Sequence, residues 1–193
     1  MEGLINMSLV GQRSEMGLSP RSLFRPTMAS DIIGVIGASR ADDELLRLAE
    51  ELGREIASRG VAIVCGGMTG VMEAVCKGAR AKGGLTIGII PSDDRNDANQ
   101  YVQIPIVTGM GVGRNVMLVK TADVLIAVGG EYGTLSEIAH ALNIGKKVIS
   151  LRSWKLERAT EKPIPNLIGA KSPKEAVDRA LDAIAESNSL SMA

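Results

Sequence analysis

The sequence predicts an α/β fold: one parallel sheet, doubly wound, with helices on both faces. Six short runs rich in Val and Ile, without polar alternation, read as strands buried on both sides. Segments with apolar residues at helical spacing separate these runs, and right-handed crossovers of that kind build such a sheet. Glycines gather at one end of the runs, where ligands sit in doubly wound sheets.

Residues 1–30 hold Arg13, Arg21 and Arg25 among Ser, Pro, Gly and Met without sustained periodicity. They are expected to form a disordered leader ahead of a single domain over residues 31–190. Strands are expected at Ile32–Gly37, Val61–Cys65, Leu85–Ile90, Val102–Val107, Val124–Val128 and Lys147–Leu151. Between the first two, Leu45, Leu48, Ala49, Leu52 and Ile56 recur at helical spacing and Gly60 supplies a stop. Val71–Lys82 and Leu135–Ile144 read as helices ending at Gly83 and Gly145, and an Arg-led helix occupies 114–121. Pro173 suits the first turn of a closing helix. The apolar residues Val116, Leu118, Val119, Leu135, Ile138 and Leu142 face either the sheet or a partner chain.

Composition narrows the function. With 193 residues, 45% hydrophobic and 23% charged, the chain suits one ordinary globular domain. Lys plus Arg (22) balances Asp plus Glu (22), so no global field draws nucleic acid or an anionic membrane. The aromatics are Phe24, Tyr101, Tyr132 and Trp154, too few to stack single-stranded bases. No apolar run is long enough to span a bilayer, and the cytoplasm is the expected compartment. Cys65 and Cys76 lack metal-type spacing and read as buried small hydrophobes. His140, the single histidine, has no ligand-spaced partners and reads as a helix-surface or satisfied residue, so no metal site is expected.

Ten of the 22 glycines (37, 66, 67, 70, 109, 111, 113, 129, 130 and 133) fall in loops at the strands' carboxyl ends. Three loops there are expected to bind. The first offers Gly37 and Ser39, although its glycine spacing is not the dinucleotide fingerprint GxGxxG. The second offers Gly66, Gly67, Thr69 and Gly70; no GxxxxGK[ST] phosphate loop occurs anywhere. The third offers Gly129, Gly130, Gly133 and Thr134 before a helix, whose unpaired N–H groups and positive dipole end favour a phosphate. Arg114 and Glu137 stand beside this anion seat. Each has a structural alternative. Thr134-Leu135-Ser136-Glu137 matches a capping box, and Arg114 suits an exposed first-turn position, though a cation there opposes the helix dipole.

At these residues the chain resembles a known family. GGEYGTLSE (residues 129–137) is similar to the PGGxGTxxE signature of the Lonely guy family, formerly labelled lysine decarboxylases. GRNVMLVKTADVLIAVGG (residues 113–130) looks more like the branch containing the molybdenum cofactor carrier proteins, as do Gly66-Gly67 and Gly70-Val71-Met72-Glu73. The resemblance runs from about Asp31 to the last helix. It implies a Rossmann-like homodimer or higher homo-oligomer. It also implies a binding protein for a phosphorylated nucleotide-like or molybdopterin-like ligand, with molybdenum cofactor as the carried molecule. The alternative implied is a nucleoside 5′-monophosphate phosphoribohydrolase acting on cytokinin riboside monophosphate-like substrates, with Arg114 and Glu137 catalytic. Two departures bear on catalysis: Val128 replaces the signature proline, and Gly113-Arg114-Asn115 stands where the enzymes show His-x-Arg-Lys. No pyridoxal-phosphate lysine motif supports the decarboxylase label.

Overall fold

A computed structural model of the chain describes residues 31–159 and 162–191; the leader expected over residues 1–30 lies outside the described residues. Seven parallel strands form one sheet: β1 (Ile32–Gly37), β2 (Ala62–Cys65), β3 (Thr86–Ile90), β4 (Ile104–Val107), β5 (Val124–Val128), β6 (Val148–Leu151) and β7 (Leu167–Ala170). Their order is β4-β3-β2-β1-β5-β6-β7. The chain therefore reverses its direction of winding between β1 and β5, whose residues Ile33 and Val124 pair. This is a Rossmann-like α/β fold, and the crevice outside β1 and β5 is its topological switch point.

Five helices cover the sheet: α1 (Asp43–Ser58), α2 (Val71–Arg80), α3 (Arg114–Thr121), α4 (Tyr132–Asn143) and α5 (Pro173–Ser191). α1 starts where the Asp42 carboxylate accepts from the Leu45 N–H at 2.8 Å, an N-cap bond. It packs with α2 and α5 on one face, where Leu52, Ile56, Val75 and Val177 meet Ile33, Val35, Ile63 and Ile126. Gly53 and Gly78 let the α1 and α2 backbones touch; a Cβ on Gly78 would strike the Glu50 carbonyl oxygen. On the other face α3 and α4 place Leu118, Val119 and Ile138 against Ile36, Val64 and Leu125. Of the helix residues assigned to sheet or partner, Leu118, Val119 and Ile138 thus face the sheet, whereas Val116 is 40% exposed.

Every expected strand ends at the expected residue; Gly66, Pro91 and Gly129 directly follow β2, β3 and β5, while β1, β4 and β6 give way to Ala38, Thr108 and Arg152. β7 is the strand that hydrophobicity did not announce. It is short, half-buried and at the edge, and it is docked by Val148 N–H donating to the Asn166 carbonyl at 2.8 Å. Among the described residues no helix is long and apolar enough to cross a membrane. No cluster of three or more His, Cys, Asp or Glu among them could hold a metal ion.

Candidate functional site

The loops leaving β1 and β2 are fastened to each other before any ligand is considered. Val71 N–H donates to the Ala38 carbonyl at 3.0 Å, and the Thr69 hydroxyl donates to the Ser39 carbonyl at 3.2 Å. Gly70 sits between them at φ +70°, where a Cβ would press on the Ala38 and Ser39 carbonyl oxygens. Asn99 clamps the second loop from behind, its side-chain amide donating to the carbonyls of Gly67 (3.1 Å) and Met68 (2.8 Å). The loop after β5 is held similarly, with the Ser153 hydroxyl donating to the Gly129 carbonyl.

Between these loops and the starts of α3 and α4 lies a cavity of about 330 Å³ at the switch point. Gly37, Ser39, Gly66, Thr69, Arg114, Gly133, Thr134 and Glu137 line it, so eight of the expected site residues meet in one place. Gly67, Gly70, Gly129 and Gly130 do not line it. Their positive φ values turn the backbone behind the wall, so their glycine character answers to loop geometry. Gly66 has a different reason: a Cβ there would occupy the space taken by the Arg114 guanidinium and the Met72 sulfur. Met68, Met72, Val112, Asn115 and Glu131 also line the cavity and were not anticipated. Met68, Asn115 and Glu131 adjoin expected site residues, so adjacency was their available signal. Met72 lies in the Gly70–Glu73 motif and Val112 between the rim glycines 111 and 113, but neither apolar side chain by itself pointed to a cavity.

Arg114 is only 8% exposed and Glu137 6%, so neither structural alternative describes them. α4 begins at Tyr132 with Glu131 as the N-cap residue, and the Leu135 N–H donates to the Glu131 carbonyl at 3.0 Å. Thr134 therefore lies inside the first turn and Glu137 beyond it. The capping box does not form, and Glu131 makes no side-chain cap bond, leaving the first-turn N–H groups beside the cavity without a side-chain cap. Arg114, instead of projecting into solvent, reaches inward from the start of α3. Its Nη1 lies 3.5 Å from Glu137 Oε1, too long for a strong hydrogen bond, and its buried Nε has no partner. Burial lowers the guanidinium's proton affinity, partly offset by Glu137 and Cys65; an arginine nevertheless stays cationic. Burial also pushes the Glu137 carboxyl up to about 7, outweighing the downward pull of Arg114.

An arginine with an unused donor in a polar-floored cavity is equipped to hold an anion. The apolar wall of Met68, Met72, Val112 and Leu118 suits the rest of a mixed-polarity ligand. Three further residues do not line the cavity. Cys65 and Cys76 are buried with their sulfurs 3.5 Å apart, in keeping with their reading as buried small residues. His140 is half-buried on α4, as a helix-surface reading allows, but it is not a satisfied residue, because its Nε2 is buried without a partner.

Comparison with known proteins gives a consistent family. The sequence profile of the SLOG cluster4 family matches residues 30–177. The molybdenum cofactor binding protein of the phototrophic bacterium Rippkaea orientalis superposes with a TM-score of 0.74 at 37% identity, covering 82% of this chain and 99% of that one. The molybdenum cofactor carrier protein of Chlamydomonas reinhardtii gives 0.71 at 32% identity, covering 81% and 99%. A cytokinin riboside 5′-monophosphate phosphoribohydrolase of Mycobacterium tuberculosis is 36% identical over 126 residues, covering 61% of this chain and 67% of its own.

Proposed function

The chain belongs to the SLOG cluster4 family, the Lonely guy and molybdenum cofactor carrier-like group, and from that premise we propose that it is a binding protein for a phosphorylated nucleotide-like or molybdopterin-like ligand. One observation carries the reading: a buried arginine, Arg114, with an unpartnered Nε in a cavity at the switch point. Its guanidinium takes the phosphate by charge-assisted hydrogen bonds, and the uncapped first turn of α4 at Gly133 and Thr134 adds backbone donors. These residues fit the phosphate-bearing end of a carried molybdenum cofactor. The apolar wall shields its heterocycle from water.

The phosphoribohydrolase reading is kept because Arg114 and Glu137 stand side by side in the cavity wall and because of the mycobacterial relative. Against it, hydrolysis needs an anionic Glu137 facing the oxocarbenium-like sugar, and a carboxyl lifted to about 7 is only partly ionised at neutral pH. Purified protein incubated with AMP and with an isopentenyl-adenine ribotide, then assayed for free base, separates the two. The binding reading expects retention without base release. Release that disappears in Glu137→Ala would make the chain a hydrolase.

We also propose a homodimer. β4, the turn before α3 and the start of α3 expose the large apolar residues Ile104, Ile106, Met110, Val112, Val116 and Met117, from 38% to 88% each, which suits a partner chain.

A further inference from the structure

Arg114 and Glu137 are the two buried charged side chains among the described residues, and they share one cavity wall. The pair is poorly made: 3.5 Å separates Nη1 from Oε1, while the guanidinium keeps a buried Nε without an acceptor. A phosphate entering the cavity completes the guanidinium's bonds, and in doing so comes to rest against the carboxyl. Two anions cannot share one buried cation without strong repulsion, because burial of Arg114 and Glu137 weakens the screening between them. A neutral carboxyl removes the repulsion and supplies an O–H donor, and a bond from that donor to an anionic oxygen is short and strong.

We infer that Glu137 is a specificity-determining residue of the anion site, taking up a solvent proton when a phosphate monoester dianion binds and donating the resulting O–H to it. The inference rests on the binding reading above. The surroundings favour it. Glu137 is faced by Arg114 from α3, by the Cys65 thiol from β2 and, at the rim, by exposed Glu131 from the start of its own helix; β1 contributes Val35 and Ile36. Burial already holds the carboxyl near 7 without a ligand, so a proton is available to it at neutral pH. A bound dianion raises it further, which by linkage makes affinity fall as the pH rises.

Calorimetric titration of the full chain with inorganic sulfate and with AMP, between pH 6 and pH 9 and in two buffers of different ionisation enthalpy, tests this. Sulfate keeps its charge over that range, so any pH dependence belongs to the protein. The expected result is uptake of about one proton per anion at pH 8, with sulfate affinity falling roughly tenfold per pH unit above neutrality. Glu137→Gln is expected to bind sulfate more tightly than wild type at pH 8, with a flat profile. Binding with no proton uptake overturns this inference and leaves the binding reading standing, even if the variant fails to fold. No binding of either anion at any pH overturns both.

Discussion

Replacing Glu137 with Gln should change how stability depends on pH, and the size of the change follows from the site. Burial lifts the carboxyl from an ordinary 4.5 to about 7 in the folded chain. At ~1.4 kcal/mol for each tenfold difference in proton affinity, that shift is worth about 3 kcal/mol at most. The folded state binds more protons than the unfolded state between those two values. Glu137 therefore places no burden on stability below 4.5, and the burden grows as the pH rises to about 7 and levels off above it. Glu50, Glu175 and Asp178 have lowered values and work in the opposite sense at the acid end, so the wild-type profile alone is not diagnostic. Subtracting the variant cancels them. Urea denaturation at intervals from pH 5 to pH 8 should show wild type losing about 2–3 kcal/mol relative to Glu137→Gln. The unpaired Arg114 in the variant adds a constant offset, because arginine does not titrate in this range. Parallel profiles would refute the argument that burial outweighs the Arg114 charge.

Three other outcomes are expected. Arg114→Ala should weaken binding of a phosphate ligand by about 1.5–3 kcal/mol, as for other hydrogen bonds to charged groups; an unchanged Kd for AMP would remove Arg114 from the site. Gly78→Ala should cost about 1–3 kcal/mol of stability, because its Cβ strikes the Glu50 carbonyl where α1 and α2 touch; an unshifted urea midpoint would contradict that packing. Light scattering at micromolar concentration should give twice the 20.3 kDa chain mass, reduced to the monomer by Val116→Asp, and a monomeric wild type would contradict the dimer.

The fold was legible because buried parallel strands write themselves as uninterrupted apolar runs, and the loops that end them carry glycine or proline. β7 was not legible: a half-buried edge strand of four residues, LIGA, has no such run. The start of α4 was misread for a local reason. TLSE matches a capping box, while Tyr132 and Gly133, poor helix formers, nevertheless occupy the first turn of the helix. At the site, the type of residue was readable but its direction was not. A first-turn arginine is ordinarily solvated, and nothing local says that Gly66, 48 positions earlier, vacates space for this guanidinium. The glycine-rich rim was correctly placed, yet Gly67, Gly70, Gly129 and Gly130 serve loop conformation behind the wall, and sequence cannot separate that role from ligand contact.

The central claim is that Arg114 holds a phosphate at the switch point between β1 and β5. A crystal of the protein soaked with AMP tests it most directly. The expected density puts a phosphate oxygen at about 2.7–3.2 Å from a nitrogen of the Arg114 guanidinium, with the base against Met68 and Met72. An AMP molecule bound elsewhere, with this cavity holding only water, would contradict the account.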